Sequence, residues 1–162
     1  MQSYIGTKVI NAKPMTRAEY NLFRGWELPK DENGADAGYL VEYTDGGKAN
    51  TSQYQGYVSW SPETVFNKAY KPNSGMSFSE ALVYLKLNKK VAREGWNGKG
   101  MFVFLVPGSV FSVSRPPLLG IYPAGTEINY HGHIDMKTAD GLIVPWLCSQ
   151  TDMLAEDWCV VE

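Results

Sequence analysis

Cysteine and histidine are scarce in this chain, with two of each among 162 residues, and neither sign of charge dominates, since 15 lysines and arginines face 17 aspartates and glutamates. A net charge of −2 and a pI near 5.7 lack the massed cations that neutralise the phosphates of DNA or RNA, which sets aside polymeric nucleic acid as a partner. Long apolar runs are missing too. The longest, MFVFLV at 101–106, is far below the ~20 residues of a membrane span, and MQSYIGTKVINAK has no signal-peptide core, so no membrane partner and a cytoplasmic location are expected. Cys148 and Cys159 form neither a CxxC pair nor a disulfide framework, and are expected as two small buried hydrophobes without a redox role. No GxSxG elbow, P-loop or GxGxxG following a strand is present, which leaves little for nucleophilic catalysis. What the chain does have is apolar residues at 44% and aromatic residues at 13%, including ten tyrosines and five tryptophans. A packed core is expected, with rings left over to line a surface or an interface.

The fold class expected is α+β, in two small modules, each a short antiparallel sheet with one or two helices: residues 1–72, a linker at 73–76 and residues 77–162. In the first, Thr16 and Glu19 form a capping box, with Met15 and Tyr20 at the staple positions, so a helix starts near Arg17. GYLVEY (38–43) and GYVSWS (56–61) read as paired strands. Ser61 is expected to cap, and Pro62 to open, a second helix with Val65, Phe66, Ala69 and Tyr70 on one face. In the second module, Ser77 and Glu80 box a helix ending near Asn88, whose buried stripe is Phe78, Ala81, Leu82 and Leu85. MFVFLV reads as a strand covered on both faces, and residues 106–129, with four prolines and three glycines, as a long irregular strap. IDMKTADGLIVPW is a hairpin turning at Asp140-Gly141, with Ile134 and Met136 on one face and Leu142, Val144 and Trp146 on another. A turn capped by Ser149, with Asp152 at N3, leads to the strand WCVV.

Two constellations could carry chemistry. His131, His133 and Asp135 would share one face if all three lay on a strand, as an open metal site requires; polar residues at the start of a hairpin give the same pattern, and no metal or cofactor is expected. VAREGWNGKG (91–100) holds the parts of a nucleotide pocket. Arg93 and Lys99 suit phosphate, Trp96 suits stacking on a base, Asn97 suits a base edge or ribose hydroxyl, and three glycines admit close approach. A glycine-rich turn with Trp96 packed on the core accounts for the same residues. Asp152, Glu156 and Asp157 lie close together in sequence and read as capping and solvated charge rather than catalysis.

From Met76 to Glu162 the succession MSFSEAL, KKVAREGWNGKGMFVFLVPGS, RPPLLGIYPAGTEINY, HIDMKTADGLIVPW and SQTDMLAEDW resembles phage Thoeris anti-defence proteins of the second type. MTRAEYN and GYVSWSPETVFNKAY in residues 1–72 look like a second small phage module, for which the resemblance implies no function. For residues 76–162 it implies a non-enzymatic, homo-oligomeric sponge in the host cytoplasm during phage infection. Such a protein holds cyclic nucleotide immune signals intact, chiefly glycocyclic ADP-ribose isomers and in some relatives cyclic dinucleotides. The matching motifs then assign Trp96 to base stacking, Asn97 to a polar edge, Arg93 and Lys99 to phosphate, and Thr151 with Asp152 to ribose or base hydroxyls. The competing classes are a hydrolase of the same signals using the HGHID cluster, and a structural or interaction protein of the phage particle.

Overall fold

A computed structural model describes residues 1–162, which form two compact units, Met1–Lys71 and Pro72–Glu162. Both mix helices with antiparallel sheet, so the fold class is α+β. No helix is long and apolar enough to cross a membrane.

The first unit contains β1 (Ile10–Pro14), α1 (Arg17–Arg24), β2 (Gly38–Tyr43), β3 (Tyr57–Pro62) and α2 (Glu63–Ala69). Its sheet has the order β1-β2-β3, all antiparallel, with β2 paired to β3 from Gly38↔Pro62 to Tyr43↔Tyr57. The capping box forms as its residues dictate: the Thr16 hydroxyl accepts from the Glu19 amide, and the Glu19 carboxylate accepts from the Thr16 amide at 2.7 Å. Gly25, in the left-handed region at φ 68°, ends the helix. Tyr20, Leu40 and Val58 make the core, with Met15, Phe23, Tyr54 and Trp60 packed against it. Strand β1 had no sequence signature, because INAKP has too few β-branched or aromatic residues and is held mainly by pairing to β2. Ser61 belongs to β3 rather than capping α2; Pro62 occupies the cap position and supplies no side-chain bond. The Glu63 amide donates instead to the Ala37 carbonyl at 3.0 Å, which moves the helix start by one residue. Phe66 stacks on Tyr39 at 4.0 Å, whereas Val65 is exposed, so the expected four-residue face is incomplete.

The second unit contains α3 (Phe78–Lys86), β4 (Lys90–Arg93), β5 (Phe102–Val106), β6 (Ser109–Ser112), β7 (Glu127–Tyr130), β8 (His133–Lys137), β9 (Ile143–Pro145), α4 (Gln150–Met153) and β10 (Trp158–Val161). A five-stranded antiparallel sheet runs β10-β4-β5-β8-β9. Helix α3 starts at the Ser77/Glu80 box and buries Ala81 and Leu85 against Val91, Val103 and Trp158 on one sheet face. Trp158 is fully buried; at ~150–250 Å² and ~25 cal/mol per Å², its burial contributes on the order of 4–6 kcal/mol.

Four expectations for this unit are corrected. Strand β5 is not covered on both faces: Val103 is fully buried, but Phe102 and Phe104 are half-buried on the face away from α3, where the ammonium groups of Lys90 and Lys137 lie 5.3 and 5.8 Å from the Phe102 ring. Residues 106–129 are not irregular throughout, because β6 and β7 pair as a two-stranded ribbon from Ser109↔Tyr130 to Ser112↔Glu127. In the β8–β9 hairpin the register Met136↔Val144 puts those side chains on the same face, and Ile134, Met136 and Trp146 all pack on the one core; Leu142 is exposed. Met76, expected in the linker, is buried and exchanges both backbone hydrogen bonds with Trp158, and the Val160 amide donates to the Asn73 carbonyl.

Candidate functional site

The segment 94–101 joins β4 to β5, and α4 packs beside it. Register sets the first contact: Arg93 lies opposite Trp158 in the β4–β10 pair, so its side chain starts next to Asp157. Its Nε donates to Asp157 Oδ1 at 2.7 Å, Nη2 donates to Oδ2 at 3.2 Å, and Nη1 donates to Asp152 Oδ1 at 2.8 Å. Asp152 collects two further donors, Trp96 Nε1 at 3.0 Å and Ser149 Oγ at 2.7 Å, while its backbone carbonyl accepts from Trp158 Nε1 at 2.9 Å. One residue therefore ties the pieces together: the Asp152 carboxylate joins α4 to the 94–101 turn and to Arg93, and its backbone carbonyl holds the core tryptophan. Ser149 caps α4 as expected, accepting from the Asp152 amide at 3.1 Å.

Electrostatics follow from this geometry. Burial opposes ionisation of Asp152, whose side chain is 14% exposed, but hydrogen bonds from Arg93, Ser149 and Trp96 outweigh it and hold its pKa below the usual carboxylate range. Asp157 is lowered as well, chiefly by the Arg93 hydrogen bond and then by the Gly95 amide, which donates to it at 2.9 Å. The two carboxylates raise Arg93 above its ordinary value.

Trp96 is half-buried, edge-on to Trp158 at 5.4 Å and 77° and to Trp146 at 6.4 Å and 69°. With its indole N–H fixed on Asp152, the ring has one set orientation. Two of the glycines answer to the chain itself: a Cβ at Gly95 would come within 2.7 Å of Asp157 Oδ2, and one at Gly98 would crowd Met101 and lie 2.8 Å from the Ala139 Cβ. Asn97 and Lys99 are exposed on the same turn, and Thr151 is exposed on α4 beside Asp152. The structure thus brings Arg93, Trp96 and Asp152 into direct contact and leaves Asn97, Lys99 and Thr151 facing solvent around them.

Asp157, Ser149, Trp146 and Trp158 complete the cluster. Only the spacing of Ser149 and Asp152 gave a sequence signal for any of these contacts. Asp152 and Asp157 are engaged in ion pairs rather than being simple solvated charge. His131 lies outside β8, its Nδ1 3.1 Å from the Gly132 carbonyl, so only His133 and Asp135 share a strand face, 3.4 Å apart. No group of three histidine, cysteine or acidic side chains converges as metal ligands. Cys148 and Cys159 are free and half-buried rather than buried, and burial raises both thiols.

The part of the chain that carries this cluster has relatives. Thoeris anti-defense 2 of Bacillus phage SP01 is 45% identical over 86 residues, which span 53% of this chain and 94% of that protein. Residues 76–161 match the Thoeris anti-defense 2-like domain family. With that domain spanning more than half of its residues, the chain belongs to the Thoeris anti-defense 2-like family.

Proposed function

We propose that the second unit acts against bacterial defence by binding a cyclic nucleotide signal at the 94–101 turn and holding it without cleavage. Family membership supports the anti-defence role, and the relative from Bacillus phage SP01 bears it in its name. The observation that carries the site is the orientation of Trp96 by Asp152, with free polar side chains around it. A ring held by its N–H and by T-shaped contacts with Trp146 and Trp158 loses little freedom when a base stacks on it, which favours tight binding. Asn97 and Thr151 then take polar edges of the base or ribose. Lys99 takes the phosphate, because Arg93 is already answered by two carboxylates and serves instead to hold Asp152. A pocket closed by a second copy of the chain, in a homo-oligomer in the host cytoplasm, would supply the enclosure that a sequestering protein needs.

The test is calorimetric titration of the whole protein with glycocyclic ADP-ribose isomers and cyclic dinucleotides, followed by heat denaturation and chromatography of the released ligand. Saturable binding with intact ligand recovered is the expected result, together with roughly 5- to 150-fold weaker binding by Trp96→Ala, as loss of ~1–3 kcal/mol of stacking predicts. Degraded ligand would establish a hydrolase instead, and unchanged affinity in Trp96→Ala would remove the site from the turn.

A further inference from the structure

The 106–130 segment of the second unit contains a cleft that the proposal above does not use. Its volume is about 770 Å³, and it is lined by Phe111 and Tyr130 on the β6–β7 ribbon and by Ser114, Arg115, Pro116, Pro117 and Leu118 on the connection that follows β6. Register accounts for the rings. Ser109 faces Tyr130 and Phe111 is two residues on, so both aromatics stand on one face of the ribbon, 5.3 Å apart at 45°. They stay 39% and 45% exposed, although their neighbours include Leu118 and two prolines. Beneath them the frame is anchored: Val113 is buried and its amide and carbonyl bond to Thr126 and Gly125, while the Arg115 carbonyl accepts from Leu119.

Arg115 is exposed and its guanidinium makes no ion pair, unlike Arg93. No carboxylate lines the cleft, and strand alternation puts Glu127 on the ribbon face opposite Phe111 and Tyr130. The lining therefore offers two aromatic rings, apolar proline walls, the hydroxyls of Ser112 and Ser114, and a single uncompensated cation.

We propose that this cleft is a second binding site, independent of the Trp96 turn, for a small ligand that joins a flat aromatic ring to one phosphate-like anionic group. The ring lies against Phe111 and Tyr130, and the anion takes paired N–H donors from Arg115 with the Ser114 hydroxyl beside it. The volume lies within the ~300–1,000 Å³ range of small-molecule sites.

The test uses phenyl phosphate as the probe, with inorganic phosphate and phenol as its two halves, titrated into the ¹⁵N-labelled full chain. Phenyl phosphate is expected to give saturable shifts at Ser112, Ser114, Arg115 and Tyr130, and each half to bind at least tenfold more weakly. Arg115→Gln, a change at an exposed side chain, should cost tenfold or more, and Tyr130→Leu should weaken phenyl phosphate but not inorganic phosphate. Trp96→Ala should leave this binding unchanged, which separates failure here from failure of the cyclic nucleotide reading. No saturable shifts up to about 10 mM, or equal binding by Arg115→Gln, would overturn the site.

Discussion

Replacing Asp152 by alanine tests whether one carboxylate holds the turn and α4 together. The substitution removes three side-chain hydrogen bonds, from Arg93 Nη1, Trp96 Nε1 and Ser149 Oγ, at a site 14% exposed. Each bond to a charged group contributes ~1.5–3 kcal/mol, but bonds that share a partner do not add. Arg93 keeps both contacts to Asp157 and is not left as an unpaired buried charge, so the ~3–5 kcal/mol cost of breaking a buried pair is an upper bound. The expected loss is about 2–3 kcal/mol, confined to the second unit. Native-state hydrogen exchange reads it out unit by unit: amides of β4, β10 and Gly95 should exchange roughly 30- to 150-fold faster, while those of β2 and β3 keep their rates. Asp152→Asn should lie in between, and a double-mutant cycle with Trp96→Phe, which keeps a ring but loses the N–H, should show coupling of about 1 kcal/mol. Exchange in β4 and β10 that changes by less than about twofold would refute Asp152 as the tie.

The same carboxylates set an acid limit. Asp152 and Asp157 have pKa values depressed in the folded state, so the stability they contribute is present above their unfolded value near 3.8 and is lost as pH falls through the lower folded values. Exchange or melting between about pH 4 and 2 should therefore show a steeper loss for the natural protein than for an Asp152→Asn, Asp157→Asn double variant. In the first unit, Thr16→Ala removes the hydroxyl half of the capping box and should destabilise that unit by about 1 kcal/mol in urea denaturation. Gly56→Ala should do more, since its Cβ would overlap the Tyr43 carbonyl oxygen where β2 meets the approach to β3; loss of β2–β3 amide protection checks it.

Several elements of the fold were legible because their causes are local. Thr16 with Glu19, and Ser77 with Glu80, specify helix starts through bonds that span three residues, and the runs GYLVEY and WCVV carry the β-branched and aromatic residues that strands favour. Elements that depend on a partner were not legible. INAKP becomes a strand by pairing with β2, and Ser109–Ser112 by pairing with Glu127–Tyr130 across a 14-residue interval. The Ser61 cap was misplaced for the same reason, because a backbone bond from Glu63 to Ala37 sets that helix start.

The turn at 94–101 shows the division within one site. Its composition singled out Arg93, Trp96, Asn97 and Lys99, and Ser149 with Asp152 marked a capped turn 50 residues further on. Nothing in the spacing said that the two segments meet. By itself the sequence determined the helix caps at Thr16, Ser77 and Ser149, most strands, the near balance of charge, and the run of motifs by which the second half resembles its family. Only the tertiary structure decided that Arg93 answers Asp152 and Asp157 and that Asp152 orients Trp96. Those contacts join residues 56 to 64 positions apart, and antiparallel pairing of β4 with β10 supplies the proximity that chain order does not.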